Sequence, residues 1–503
     1  MEILGYLLTP FQEPLLILYV ALGCFAGVYI GAIPGLSATM AVSLLVSFTF
    51  GWETHSALAL MIGIFVGAVY GGSRSAVLLN IPGAPAAVAT ALDGYPMAKK
   101  GQAGQAMGIA TTQSVIGTLI GILVLALFAP VMSKLALSFS SVDYLLLGVM
   151  GMMMVGSLGS KSIFRGLLMA ALGVLIGTVG MDTMTAVPRF TFGSLYLSTG
   201  VDYVVAMIGL FGVSEALIQV EHKDLKAVRQ KLDRILPSLA TCKKHLGLTL
   251  RSSIIGVVVG ALPGAGGDIA ALLSYDQAKR TVKNPEVPFG EGAVEGLIAP
   301  ETANNAAIGG AFIPMLTLGI PGDSVTAVML AALMIHGLKP GPNLMSTSPD
   351  LFYLIVSCLV LGAIFLVIFG LTGVKLFAKI VEIPRGILLP LIIVLSAVGS
   401  FAIKNSLYDV FWMFGFGILG YFMKRFDYPV APCVLGIILT SLLEENFRRG
   451  VMLNGTVGGL FLSIFKSPIS VVLFILIVVM FTTQTKAYQR WSAKRQEKKQ
   501  ANG

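Results

Sequence analysis

The chain is predicted to be an all-α polytopic membrane protein made of two inverted-topology repeats, with broken helices and re-entrant hairpins. Three observations predict this. Hydrophobic residues make up 56% of the chain and charged residues only 12%, against about 25% charged in a soluble protein. Several apolar runs, among them 15–33, 107–131, 351–371 and 459–481, reach or approach the ~20 residues that a spanning helix needs. The third is a duplication. Gly27-Val28-Tyr29-Ile30-Gly31-Ala32-Ile33-Pro34-Gly35 recurs as Gly256-Val257-Val258-Val259-Gly260-Ala261-Leu262-Pro263-Gly264. Each copy is followed by a second shared motif, Asn80-Ile81-Pro82-Gly83-Ala84-Pro85 and Gly319-Ile320-Pro321-Gly322-Asp323-Ser324. A duplicated pair of Pro-Gly breaks in a hydrophobic chain is the mark of a two-repeat secondary transporter.

Residues 1–14 contain no Lys or Arg, so they lack the basic start of a secretory signal and are expected to belong to the mature chain. The first repeat occupies 1–221, with spans predicted at 15–33, 36–50, 57–72, 106–130, 141–159, 166–180 and 201–220. The stretch 73–92 is apolar but broken by Pro82, Gly83 and Pro85, and is predicted to be a re-entrant hairpin. Broken backbone is tolerated at membrane depth only where protein or a wet cavity surrounds it. A basic cytoplasmic linker covers 222–247. The second repeat and an extra C-terminal span fill 248–483, with spans at 248–263, 265–279, 293–313, 351–372, 386–400, 408–423, 430–443 and 459–481 and a hairpin at 314–335. A basic tail, 484–503, closes the chain.

Charge chooses the orientation. With the N-terminus periplasmic and the C-terminus cytoplasmic, the inner segments hold Arg74, Lys99, Lys100, Lys161, Arg165 and the basic linker, while the outer segments of that half hold only Lys134 and Arg189. That is the positive-inside pattern. The net charge of +9 therefore belongs to loops and tail and does not indicate nucleic acid. Repeat one then enters from outside and repeat two from inside, an inverted arrangement that supplies two related conformations open to opposite sides.

The motifs carry the chemistry. Gly23, Gly27, Gly31 and Gly35, like Gly256, Gly260 and Gly264, lie four residues apart and form a smooth ridge for close helix packing. Proline removes a donor and disrupts the turn before it, so the breaks at Pro34-Gly35 and Pro263-Gly264 free carbonyls and begin new helices. Ser37 and Thr39 follow the first break, and Gly266, Gly267 and Asp268 the second. Asn80, Pro82 and Gly83, and Pro321, Gly322 and Ser324, form the hairpin tips, where a helix N-terminus offers unpaired N–H groups and partial positive charge to an anion. Arg74 pairs with a carboxylate substrate or is a positive-inside anchor. Asp268, Asp323, Glu295 and Glu301 are intramembrane acids and functional candidates by default. Asp268 and Asp323, with Asn304 and Asn305, offer hard oxygen ligands to Na⁺; the two aspartates equally suit helix capping, and Glu301 equally suits the lining of a wet cavity.

Other chemistry is not indicated. The cysteines (Cys24, Cys242, Cys358, Cys433) and the histidines (His55, His222, His245, His336) show neither disulfide nor metal-ligand spacing. The Gly156–Ser162 stretch lacks the glycine before lysine of a phosphate loop, and Gly415-Phe416-Gly417-Ile418-Leu419-Gly420 lies inside an apolar span. No catalytic constellation or cofactor is expected; energy comes from an ion gradient or a partner.

The paired motifs, together with Tyr70-Gly71-Gly72-Ser73-Arg74, Asp93-Gly94-Tyr95-Pro96-Met97, Pro300-Glu301-Thr302-Ala303-Asn304-Asn305 and His336-Gly337-Leu338-Lys339-Pro340-Gly341-Pro342, resemble the large membrane subunit of the tripartite tricarboxylate transporters. The resemblance runs from about residue 15 to 480. It implies a bacterial inner-membrane importer of di- or tricarboxylates such as citrate, coupled to Na⁺ or H⁺, working with a small multi-span membrane subunit and a periplasmic solute-binding protein. The alternatives are a passive anion channel or a transporter of some other small solute.

Overall fold

The computed structural model describes residues 2–33, 36–158, 163–182, 185, 187–221, 243–372 and 385–484. The predicted linker is therefore described only from 243 on and the tail only at 484; Pro34 and Gly35 also lie outside the described residues. The described residues are almost wholly helical, with a single hairpin among them made of two two-residue strands, β1 (Gly180–Met181) and β2 (Pro188–Arg189). Among the described residues six helices are long and apolar enough to cross a membrane, or seven if one sharply bent pair is a single span. The chain is a multi-pass membrane protein.

Two compact units cut across the sequence repeats. The first comprises Met1–Ala136 and Val204–Arg425. It contains α1 (Pro14–Ala32), α2 (Ala38–Thr49), α3 (Thr54–Leu79), α4 (Ala87–Lys99) and α5 (Ala103–Ala136). The span α8 (Tyr203–Val220) has its middle turns, Ile208–Val213, wound as π-helix. Then come α9 (Leu246–Gly260), α10 (Gly266–Thr281), α11 (Glu295–Leu318), α12 (Ser324–Ile335), α13 (Pro349–Thr372), α14 (Arg385–Lys404) and α15 (Leu407–Arg425).

Equivalent residues close equivalent helices in the two halves. α3 ends where Asn80 turns left-handed (φ 55°) and α11 where Gly319 does (φ 71°). The Asn80 amide donates to Ala76 O and the Gly319 amide to Met315 O, both at 3.2 Å. The next amides, Ile81 and Ile320, reach back to Ser75 O and Pro314 O. This double closure satisfies carbonyls that a helix end would otherwise leave unpaired, and the proline two residues after each cap stops the helix from continuing.

The glycine ridges pack as expected. A Cβ on Gly23, Gly27 or Gly31 of α1 would fall on the carbonyl of Leu60, Ile64 or Ala68 of α3, and one on Gly63, Gly67 or Gly71 would fall back on α1. In the second half Gly256 and Gly260 of α9 rest on the carbonyls of Ala303 and Ala307 of α11, and Gly310 on that of Val257. α5 packs against α11 in the same way, with Gly117 and Gly121 against Thr302 and Ala306. The backbones touch, so dispersion and weak Cα–H···O contacts replace side-chain packing.

Three predicted details differ. The stretch 73–79 is not a separate hairpin arm but the last turns of α3, and 314–318 likewise belongs to α11. Ser73–Leu79 contains no Gly or Pro to interrupt the helix, and Pro314 sits within α11 without ending it. Arg74, counted above among the inner-loop cations, is consequently inside a helix and wholly buried. Finally, the predicted span 459–481 is bent by 103° between Val457–Lys466 and Pro468–Thr482, because Pro468 starts a new helix.

The second unit comprises Leu137–Tyr203 and Phe426–Gly503. It contains α6 (Ser141–Leu158), α7 (Ile163–Gly177), the β-hairpin, α16 (Val430–Asn454), α17 (Val457–Ser463) and α18 (Pro468–Gln484). Gly173 of α7 and Gly436 of α16 pack each on the other helix's backbone. Arg189 binds Glu444 through both terminal nitrogens, at 2.5 and 3.0 Å, and Arg448 bridges Asp182 and Glu444. Arg189, assigned above to the outer side, is thus balanced by acids, as is Arg448.

The Gly27→Ala and Gly256→Ala variants should each lose about 1–3 kcal/mol through overpacking. Gly51→Ala, where no atom lies within 4 Å of the added methyl, should match the wild type. Thermal unfolding of the purified proteins in detergent, read by size-exclusion recovery, checks the contrast.

Candidate functional site

The described parts of the four breaks come together in the first unit. Gly83 lies against the Gly31 carbonyl and the backbone of Gly72, and Gly322 lies in the same way against Gly260 and Ala311. Each tip therefore rests on its own half's first helix. The halves are then joined crosswise. Thr39 Oγ1, just after the first break, is 2.9 Å from Ser324 Oγ at the second tip. Asp268 Oδ1, just after the second break, accepts from the Ala86 amide beyond the first tip at 3.0 Å. In the second half the Gly264 amide donates to Gly322 O at 2.7 Å, with Gly264 and Gly266 both left-handed (φ 77° and 61°).

Among the predicted cation ligands, Asp268, Asp323 and Asn304 gather around the first turn of α10. A Cβ on Gly266 would meet the Asp323 side chain, and one on Gly267 would fall on Asn304 Oδ1. Asp268 is solvent-accessible and Asp323 half-buried. Asp323 is also a cap: its Oδ1 accepts from Thr326 N at 2.7 Å and Thr326 Oγ1 at 2.6 Å, completing a capping box for α12. Asp268 sits in the first turn of α10 and is not its cap. Asn305 turns away from this group. Its Nδ2 donates to Ser114 Oγ at 2.9 Å and to Glu301 O at 3.0 Å, and its Oδ1 is buried without a partner.

The remaining predicted residues divide. Ser37 caps α2 through Met40 N at 3.2 Å. Pro82, Gly264, Gly267 and Ser324 are partly exposed at the breaks, whereas Gly83, Pro263, Gly266, Pro321 and Gly322 are buried beneath them. Asn80 is exposed and spends its backbone on closing α3. Arg74 is clamped at the C-terminal end of α13, where its Nη2 donates to Phe369 O at 2.6 Å and Gly370 O at 2.8 Å. Its guanidinium lies 5.6 and 5.5 Å from the ring centres of Tyr29 and Tyr70. A cation suits the negative end of a helix and an aromatic face; Nε and Nη1 remain without partners. Glu295 lies 3.8 Å from His245.

Two acids have surroundings that the sequence did not disclose. Glu301 is 1% exposed, so it lines no wet cavity. Its carboxylate accepts from Ser73 at 2.5 Å and from Thr90 on one oxygen, and from Ser114 at 2.8 Å on the other. The donors lie on α3, α4 and α5. Asp93 on α4 is fully buried: Oδ1 accepts from the amides of Gly290, Gly292 and Ala293, each at 2.8 Å, and Oδ2 from Tyr275 at 2.9 Å. The available signal was an acid inside an apolar stretch; its partners, some two hundred residues away in sequence, carried none.

The family model that matches residues 17–435 is described as the tripartite tricarboxylate transporter TctA family. An Agrobacterium vitis protein described as an "uncharacterized 52.8 kDa protein in TAR-I ttuC' 3'region" is 37% identical over 442 residues, covering 88% of each chain. A second from the same organism, from the TAR-II ttuC' 3' region, is 40% identical over 199 residues, or 40% of this chain and 82% of its own. No solved structure matches.

Replacing Asp93 by Ala strands four donors and should cost roughly 3 kcal/mol, since each unpaired buried group costs about 1–3 kcal/mol and some regain water. Limited proteolysis should show faster cleavage within 284–294 in Asp93→Ala, with Asp93→Asn intermediate.

Proposed function

Because the chain belongs to the tripartite tricarboxylate transporter TctA family, we propose that it is the membrane permease of a carboxylate importer driven by a cation gradient, and not an enzyme. In this reading it resides in a bacterial inner membrane with its N-terminus periplasmic and its C-terminus cytoplasmic. It receives di- or tricarboxylates from a periplasmic solute-binding protein and works beside a small membrane subunit. The observation that carries the proposal is the crosswise contact of the breaks, Thr39 with Ser324 and Asp268 with Ala86. A substrate held there would touch both halves, and the breaks place short helix N-termini around it.

The charges suggest a division of labour. The N-terminal turns of α2 and α4 carry no acid, so their amides suit a carboxylate. Those of the second half carry Asp268 and Asp323, whose oxygens, with Asn304, suit Na⁺. Arg74, held by α13 with one edge unpaired, offers a fixed positive field to a polyanion. Inversion of the repeats supplies two states, each opening the breaks to one side.

The test is uptake into proteoliposomes holding the chain and its two partner subunits, with a panel of mono-, di- and tricarboxylates, with and without a Na⁺ gradient. Uphill accumulation of a di- or tricarboxylate supports the importer; equilibration alone marks a channel. Asp268→Asn should lower Na⁺-driven uptake at least about tenfold, the equivalent of ~1.4 kcal/mol. Asp323→Ala should abolish it while leaving membrane insertion intact. Wild-type rate and Na⁺ dependence in both variants would remove the two aspartates from the cation site.

A further inference from the structure

We propose that Glu301 is a proton-carrying site, distinct from the wet aspartates and coupled to movement of the first hairpin tip, residues 80–85. The proposal rests on the transport reading for its role, though the site stands on geometry alone. Glu301 is buried, and among the described residues no Lys, Arg or His lies within ion-pair distance of it. The charged groups on the helices packed against α11 are engaged elsewhere or lie outside that range. Arg74 on α3 is held by α13 carbonyls, Asp93 on α4 by backbone amides and Asp268 on α10 by Ala86. Arg251 on α9 makes no ion pair with Glu301, and the α5 segment 103–125 has no charged residue.

Among the described residues a charged carboxylate in that position has only the hydroxyls of Ser73, Thr90 and Ser114 to stabilise it. Ser73 and Thr90 donate to Oε1 and Ser114 to Oε2, which leaves Oε2 with a lone pair that a proton can take. Hydroxyls can reverse, accepting from a protonated carboxyl as readily as they donate to a charged one. Asn305 provides the matching element. A half-turn of its amide presents the orphaned Oδ1 to Ser114 in place of Nδ2, giving that hydroxyl an acceptor once Glu301 no longer takes its hydrogen.

The cradle is also positioned to sense conformation. Ser73 lies in the last two turns of α3 and Thr90 in the first turn of α4, on either side of the first tip, while Glu301 belongs to the other half. Any movement that separates α3 and α4 from α11 withdraws two of three donors and resets the balance between charged and neutral forms. One proton taken from one side of the membrane in one state and released to the other side in the second would drive the cycle.

The test is an infrared pH titration of the purified full chain in lipid, following the C=O stretch of protonated carboxyl groups. A titrating band should be present in the wild type and in Asp268→Asn, absent in Glu301→Gln, and displaced in midpoint in Ser114→Ala. A wild-type band and midpoint in Glu301→Gln would overturn the proposal, and so would an unmoved midpoint in Ser114→Ala, which keeps the carboxyl and does not depend on the first variant folding. In proteoliposomes Glu301→Gln should lose citrate accumulation driven by a pH gradient about tenfold or more while retaining citrate exchange; unchanged accumulation would overturn the coupling role. If the wild type accumulates no carboxylate under any gradient while the Glu301 band titrates, the transport reading fails and the proton site stands.

Discussion

Every backbone amide and carbonyl that a helix gives up inside a membrane must find another partner, because hydrocarbon supplies none. Among the described residues this chain interrupts its helices around Pro82, Pro263 and Pro321, and the rest of the first unit follows from how the interruptions are satisfied. Asn80 and Gly319 fold the helix ends back on themselves, Asp323 caps the helix that restarts, and Gly264 is paired with Gly322. The Ala86 amide takes Asp268 from the opposite half. Breaks that are costly singly become tolerable together, which is why they converge on one place.

That solution requires helices close enough for breaks to meet. The glycine ridges provide the approach: α1 against α3 and α9 against α11 touch backbone to backbone along several turns. Wet and dry polar groups are then sorted by depth. Asp268 is accessible at the meeting point, whereas Glu301 and Asp93 are enclosed and fully served by donors. Acids that look alike in the sequence thus have different chemistry available to them.

The sequence made the all-α membrane class, the duplication and most helices legible, because apolar length and Pro-Gly punctuation are local signals. It also singled out residues at the breaks that the fold brings together, Thr39 and Ser324 among them. It did not reveal that 73–79 continues α3, since a motif drawn around Pro82 invites a boundary too early. Nor did it reveal the partners of Glu301 and Asp93, which lie on helices distant in the chain; a serine or threonine in an apolar run is chemically silent until the fold aims its hydroxyl. Arg74 misled for a related reason, because a lone cation beside an apolar segment reads as a loop residue when the helix that contains it has been cut short.

The intolerance of the glycine ridges to even one methyl group has a mechanical side. Helices whose carbonyls occupy the space of a missing side chain cannot slide along each other, since any shift drives backbone into backbone. α1 with α3, and α9 with α11, each behave as one thick strut. Compliance is left to the short interrupted segments at the strut ends, where hydrogen bonds such as Thr39 to Ser324 and Asp268 to Ala86 can be exchanged one at a time. In the proposed reading the places that bend and the places that bind are the same residues, so a solute held there would be gripped by the hinges themselves.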